Sequence, residues 1–283
     1  MPLIPNSIPG IVDPRAVGVL QHRWTHTRTL LLWSVVVLPG TMALICVVFA
    51  ALAGTPWAVL PALAAAAMAS GFAWWLRRRG LAEPPSWLST SFLVSGGQLL
   101  LGVIPGGGLA MSSASGGGQA AAVVLFALAW ACAASSCLTA HRAHRSLMTP
   151  VVPELGATDF TLSIAVRFAI TTADLASARL DVAADGLTWS ARLHRGRSSG
   201  PRAEHSVSFA DLRDIVAITL PPQPTLQPWL VLPDGTVLVA PPGPAVVMRT
   251  VAGEWMVPVH DALLVRDLVL TRRNRWANRP TDR

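Results

Sequence analysis

Charge is missing from two long stretches of this 283-residue chain: Thr29 to Leu76 and Pro84 to His141 contain no Asp, Glu or Arg, and Lys is missing throughout. Charged residues make up only 13% of the sequence while 52% is hydrophobic, against about a quarter charged in ordinary soluble domains. Lipid is the simplest surrounding for such stretches. Each is long enough for two passes, since a spanning helix needs about 20 mostly apolar residues. The same absence weakens a proton-coupled transporter, because ionisable groups inside spans mark proton and ion pathways. Cysteine is scarce too: Cys46, Cys132 and Cys137 all lie in the apolar stretches. No disulfide framework follows, and small buried thiols are the ordinary reading. Tyr is absent. So are Gly-x-Ser-x-Gly, His-Glu-x-x-His and paired Cys-x-x-Cys, which leaves hydrolase and metalloprotease readings without an anchor. A membrane-embedded transferase would need acids near the headgroups, and Glu83 is the only one in the loop between the stretches. No enzyme is expected, and no cofactor.

What is present divides the chain in two. Up to Glu154, eight Arg face three acids; from Leu155 onward, fourteen Arg face twelve. Most of the net charge of +7 therefore flanks the apolar stretches, where topology rather than nucleic acid requires it. Residues 1–28 form an N-terminal segment that does not read as a signal peptide, and the first span is expected to act as an uncleaved anchor. Residues 29–145 are expected to hold four spans, at about 30–53, 57–76, 87–104 and 119–140. The third is the shortest, and Pro105 through Gly118, rich in Gly and Ser, reads as a connector. Pro39-Gly40 predicts a kink in the first span. Arg15, Arg23 and Arg28 precede the first span, Arg77 to Arg79 follow the second, and Arg142 and Arg145 follow the fourth. The positive-inside rule then puts both termini in the cytoplasm of a plasma (inner) membrane. Small residues recur at four-residue spacing in Ala62, Ala66 and Ser70 and in Ala127, Ala131 and Ser135. That spacing suits helix packing within one chain or between copies in a homo-oligomer.

After a linker at 146–160 the texture becomes short strand-like runs, giving a domain over 161–283. Phe160 to Ile170 reads as a strand or linking segment. Arg179 to Ala183, Asp185-Gly186 and Leu187 to Leu193 read as a hairpin, and His194 to His205 as a polar loop. Strands follow at Val207 to Phe209 and, after a one-turn Ala210 to Arg213, up to Leu220. Trp229 to Leu232 and Thr236 to Ala240 flank an Asp234-Gly235 turn. Val246 to Thr250 and Glu254 to Val259 are the last strands, and 260–278 is a helix.

The Asp185-Gly186 hairpin, the strand-turn-strand from Val207 to Ile215, and Gly253-Glu254-Trp255-Met256-Val257-Pro258-Val259 running into a helix resemble, over about 175–277, the bacterial pleckstrin-homology-like (PH-like) domains fused to transmembrane hairpins. The expected fold class is an α-helical membrane bundle plus a cytoplasmic, mainly-β PH-like domain with a C-terminal helix. The resemblance implies a scaffold or recognition module. The basic headgroup-binding motif of eukaryotic relatives is missing from the first hairpin, whose turn is acidic.

Two groups of residues are candidates for chemistry. Cys137, His141 and His144 fall at i, i+4 and i+7, and His22 and His26 precede the first span at the same level; if those helix ends met, they would offer nitrogen and sulfur ligands to Zn²⁺. The ordinary reading is a solvated collar of interfacial His. Arg192, Arg195, Arg197 and Arg202, and separately Arg272, Arg273, Arg275 and Trp276, could touch anionic headgroups or a partner; the bland alternative is a solvated loop and helix end. The leading expectation is a non-enzymatic membrane protein tethering a domain that binds a protein partner or regulates an envelope process. A small channel or transporter subunit with a cytoplasmic regulatory domain is the alternative.

Overall fold

The structure, a computed structural model, describes residues 3–9, 11, 14–168, 175–195, 198–222 and 227–278, side chains excepted at 175, 176, 195, 198 and 227. The chain forms two compact units: a helical one, Met1–Pro9 with Val19–Thr149, and a sheet one, Gly10–Gly18 with Pro150–Arg283.

Four helices are long and apolar enough to cross a membrane: Pro14–Ala53, Pro56–Arg78, Pro84–Ser113 and Gly117–Met148. Each outruns the span expected for it. The first begins sixteen residues earlier, at Pro14, and the third runs on because Ile104–Ser113 is helical rather than a connector. Pro105 is tolerated there for a reason the sequence hides. It lies one residue beyond a π-helical turn, Leu99–Val103, whose wider hydrogen-bond spacing relaxes the demand that proline fails to meet. Pro39 follows the π turn Trp33–Val37 in the same way. The Pro39-Gly40 signal thus marks a widened turn in a helix assigned continuously from Pro14 to Ala53.

Glycines of the third helix are contact points. A Cβ at Gly102 would meet Ala65 Cβ at 2.9 Å and Cys46 Sγ at 3.0 Å, and one at Gly106 would lie 3.5 Å from Phe49 and Pro61. Four residues apart, Gly102 and Gly106 let the helices approach closely. The core around them holds Met42, Ile45, Cys46, Phe49, Ala62, Ala65, Leu99, Val103 and Ala129. The stripes expected to do this work point elsewhere: Ala66, Ser70, Ala127 and Ala131 are exposed, and only Ala62 is buried. The N-terminal segment folds onto the first helix, where Trp24 Nε1 donates to Pro5 O (3.1 Å) and Gln21 Nε2 to Asn6 O (2.9 Å).

In the sheet unit, β1 (Leu162–Ala165), β2 (Leu175–Val182), β3 (Gly186–Arg195) and β4 (Ser198–Ser208) form an antiparallel meander. The expected loop from His194 to His205 is therefore mostly strand. Its register with β3 shifts between Arg192 and His194, and Gly200-Pro201 lies in that irregular stretch on an edge strand, where a missing N–H costs little. A second sheet runs β5–β8–β9, from Leu212–Leu220, Gly243–Thr250 and Gly253–Pro258. The hairpin of β6 (Gln227–Val231) and β7 (Val237–Ala240) is inserted between β5 and β8. A bridge between Val166 and Val259 links the ends of the two sheets.

The C-terminal helix Ala262–Ala277 starts at Asp261, whose carboxylate accepts from Leu264 N (2.9 Å) as an N-cap. It buries Ala262, Val265, Leu268, Val269 and Arg272. Arg272 is 1% exposed. Its guanidinium donates to four carbonyls: Gly156 (2.8 Å), Leu155 (3.0 Å), Phe160 (3.0 Å) and Ala183 (3.1 Å). It ties the helix to the turn Pro153–Ala157 and to the end of β2.

Candidate functional site

Strand periodicity builds the site. On β3, Ser190, Arg192 and His194 alternate with Ala191 and Leu193, so hydroxyl, guanidinium and imidazole share one face while the apolar residues enter the core. Ser190 is itself nearly buried on that face. The ladder places Ser177 of β2 and Arg202 of β4 on either side of Arg192, and Arg179 and Glu204 on either side of Ser190. The result is a recess of about 240 Å³ lined by Ser177, Arg179, Ser190, Arg192, His194 and Arg202, with Ala178 and Ala191 completing its wall.

Its electrostatics are uneven. Arg179 Nε pairs with Asp181 Oδ2 at 2.9 Å, and Arg202 Nε with Glu204 Oε2 at 3.2 Å. Arg202 Nη2 also donates to Ser190 Oγ at 2.7 Å. His194 is braced at both ring nitrogens, by Ser177 Oγ (3.1 Å) and Ser199 Oγ (3.0 Å). Arg192 sits between these held groups, its Nε buried and without a hydrogen-bond partner among the described residues.

The sequence-expected residues fare differently. Arg192 and Arg202 come together directly opposite each other. Arg197, and the side chain of Arg195, lie outside the described residues. The C-terminal group is engaged within its own unit, and Arg272 is withdrawn from the surface. Arg272 is buried among carbonyls, Arg275 pairs with Asp159 at 2.9 Å, and Trp276 packs on Phe209 with ring centroids 6.4 Å apart. Arg273 donates to Arg213 O at 3.0 Å. Packing accounts for that cluster.

The collar of His residues likewise stays apart. The first and fourth helices do meet at that level, where Thr27 Oγ1 and Ser146 Oγ lie 2.8 Å apart. The first helix buries Leu20, Trp24, Thr27 and Leu31, however, and leaves His22 and His26 exposed. On the fourth helix His141 is exposed and His144 half-buried. Among the described residues no three His, Cys, Asp or Glu side chains are grouped to hold a metal ion.

Ser177, Arg179, Ser190 and His194 belong to no motif in the sequence. Their signal is the polar face of two alternating strands, Ser177 and Arg179 on β2 and Ser190 and His194 on β3 once it is continued past Leu193. Comparison with known protein families, curated proteins and solved structures returns no match.

Proposed function

We propose that this is a non-enzymatic multi-pass protein of the plasma (inner) membrane, whose four helices anchor a cytoplasmic PH-like domain that binds a partner. The observation that carries the reading is the segregation of polar chemistry. The helices present large apolar side chains outward, among them Leu93, Leu100 and Val124, while the concave concentration of cations belongs to the sheet unit. A four-stranded meander, a second sheet and a closing C-terminal helix are the order that PH-like domains share, with β6–β7 as an insertion. Both termini are cytoplasmic, since Arg77 to Arg79, Arg142 and Arg145 lie at one end of the helical hairpins.

Topology labelling tests the arrangement. With an impermeant thiol reagent on intact cells, Ser115→Cys, in the turn after the third helix, is labelled, and Ser206→Cys on β4 only after lysis; the reverse pattern would refute it. The buried Ser34, Ser91, Ser136 and Gln98 would favour the alternative, a small channel or transporter subunit. They bond to one another and to backbone carbonyls, as interhelical ties do. Ion or solute flux through the purified, reconstituted protein would overturn the anchor reading in favour of that alternative. A second copy of the chain, docking on the exposed Ala66–Ser70 or Ala127–Ala131 surface, is the partner that the helical unit would take.

A further inference from the structure

We infer that the recess on the outer face of β2–β4 binds a phosphoryl-type oxyanion, with Arg192 as its central donor. This rests on the reading of the sheet unit as a recognition domain and names the ligand class of its site. Strand pairing sets Arg192 directly opposite Arg202, an arrangement of like charges that destabilises a sheet unless something compensates it. Among the described residues the neighbouring carboxylates are already engaged: Asp181 holds Arg179, and Glu204 holds Arg202. Both of those ion pairs run through Nε, and they fix the two flanking guanidinium groups beside the recess. Arg192 has neither a hydrogen bond nor an ion pair among the described residues, and its Nε is shut off from water. A guanidinium in that condition wants a counter-ion.

The donor set selects the ion. Arg192 brings its four terminal N–H groups, the flanking Arg residues their remaining terminal N–H groups, and Ser177 and Ser190 their hydroxyls. That is more than the two oxygens of a carboxylate can use. A phosphate monoester presents three oxygens and is matched bidentately by guanidinium. The recess is open to solvent and larger than a single ion, so the phosphoryl group could arrive free or as an exposed lipid headgroup.

Titration of inorganic phosphate into the full chain in phosphatidylcholine nanodiscs, at constant ionic strength with chloride as the control anion, tests this. The expected result is saturable binding that is weakened at least tenfold by Arg192→Met and by Arg202→Gln, and partly kept by Arg192→Lys, with far-UV circular dichroism unchanged. Nanodiscs containing phosphatidic acid separate the sources. An Arg192-dependent loss of apparent phosphate affinity there identifies a lipid headgroup; equal affinity in both identifies the free ion. No saturable binding in either disc, or binding indifferent to both Arg substitutions, overturns the proposal and leaves the topology and flux tests of the anchor reading untouched. Phosphate flux with an intact binding curve would do the opposite, keeping the pocket and sinking the anchor.

Discussion

In the helical unit Leu93, Leu100 and Val124 face outward and Ser34, Ser91, Ser136 and Gln98 are buried, whereas in the sheet unit Trp189, Phe209 and Met248 are buried and Arg179 and Arg249 face outward. Both units bury an apolar core, but the helical unit also turns large apolar side chains outward and keeps hydroxyls and an amide inside. Apolar burial drives association in water at about 25 cal/mol per Å², but between helices in hydrocarbon that force vanishes, and close contact and hydrogen bonds take its place. Gly102 and the serine ties answer the second demand, and the Trp189 core the first.

That contrast can be broken most severely at Arg272. Arg272→Leu would leave four buried carbonyls without their donor and is expected to destabilise the sheet unit by about 3–5 kcal/mol. Urea denaturation followed by tryptophan fluorescence would report it, and Arg272→Lys, lacking the planar fork, should recover only part. Next comes a paired test of solvent. Leu100, 68% exposed, and Val251, 63% exposed, are alike by accessibility, yet Leu100→Arg should disfavour membrane insertion by about 2.5–3.5 kcal/mol and Val251→Arg should shift stability by no more than about 0.5 kcal/mol. Membrane fractionation and thermal denaturation compare them; equal tolerance at both positions would show that the two surfaces meet the same solvent.

Gly102→Leu is expected to cost the helical unit about 1–3 kcal/mol by overpacking against Ala65 and Cys46, lowering the detergent melting temperature while phosphate binding persists. The smallest effect is expected for Ser136→Ala, which removes the 2.9 Å bond to Ser34 O and the contact with Ser91. An average interhelical hydrogen bond is worth about 0.6 kcal/mol. A loss several times larger in the same melting assay would mean that the serines form a cooperative network.

The four helices were legible because charge is a sparse signal: the uncharged run from Thr29 to Leu76 is by itself long enough for two helices able to cross a membrane. The end of the third was not, because Pro105 and Gly106 to Gly108 break helices in water. In this helix, entered through a π turn, Gly106 and Gly107 are buried against Phe49, Pro61 and Phe126 and let helices approach. β4 was hidden for a related reason. Gly200-Pro201 reads as a loop unless one knows that the strand lies at an edge and that its register shifts there. The Arg cluster was visible as composition, but its chemistry was not, since the ladder alone sets Arg192 opposite Arg202 and gives Arg179 and Glu204 a common row. For Arg272 the sequence offered charge near a helix end and so suggested solvent; only the carbonyls of Leu155, Gly156, Phe160 and Ala183 explain why it is inside.

The inserted hairpin has a consequence for engineering. Leu220 and Gly243 face each other across the β5–β8 ladder, so the excursion from Pro221 to Pro242 departs from and returns to a single point. Loop closure cost grows only slowly with length, which makes this junction a natural port for grafting a reporter domain while the β5–β8 register on either side keeps time.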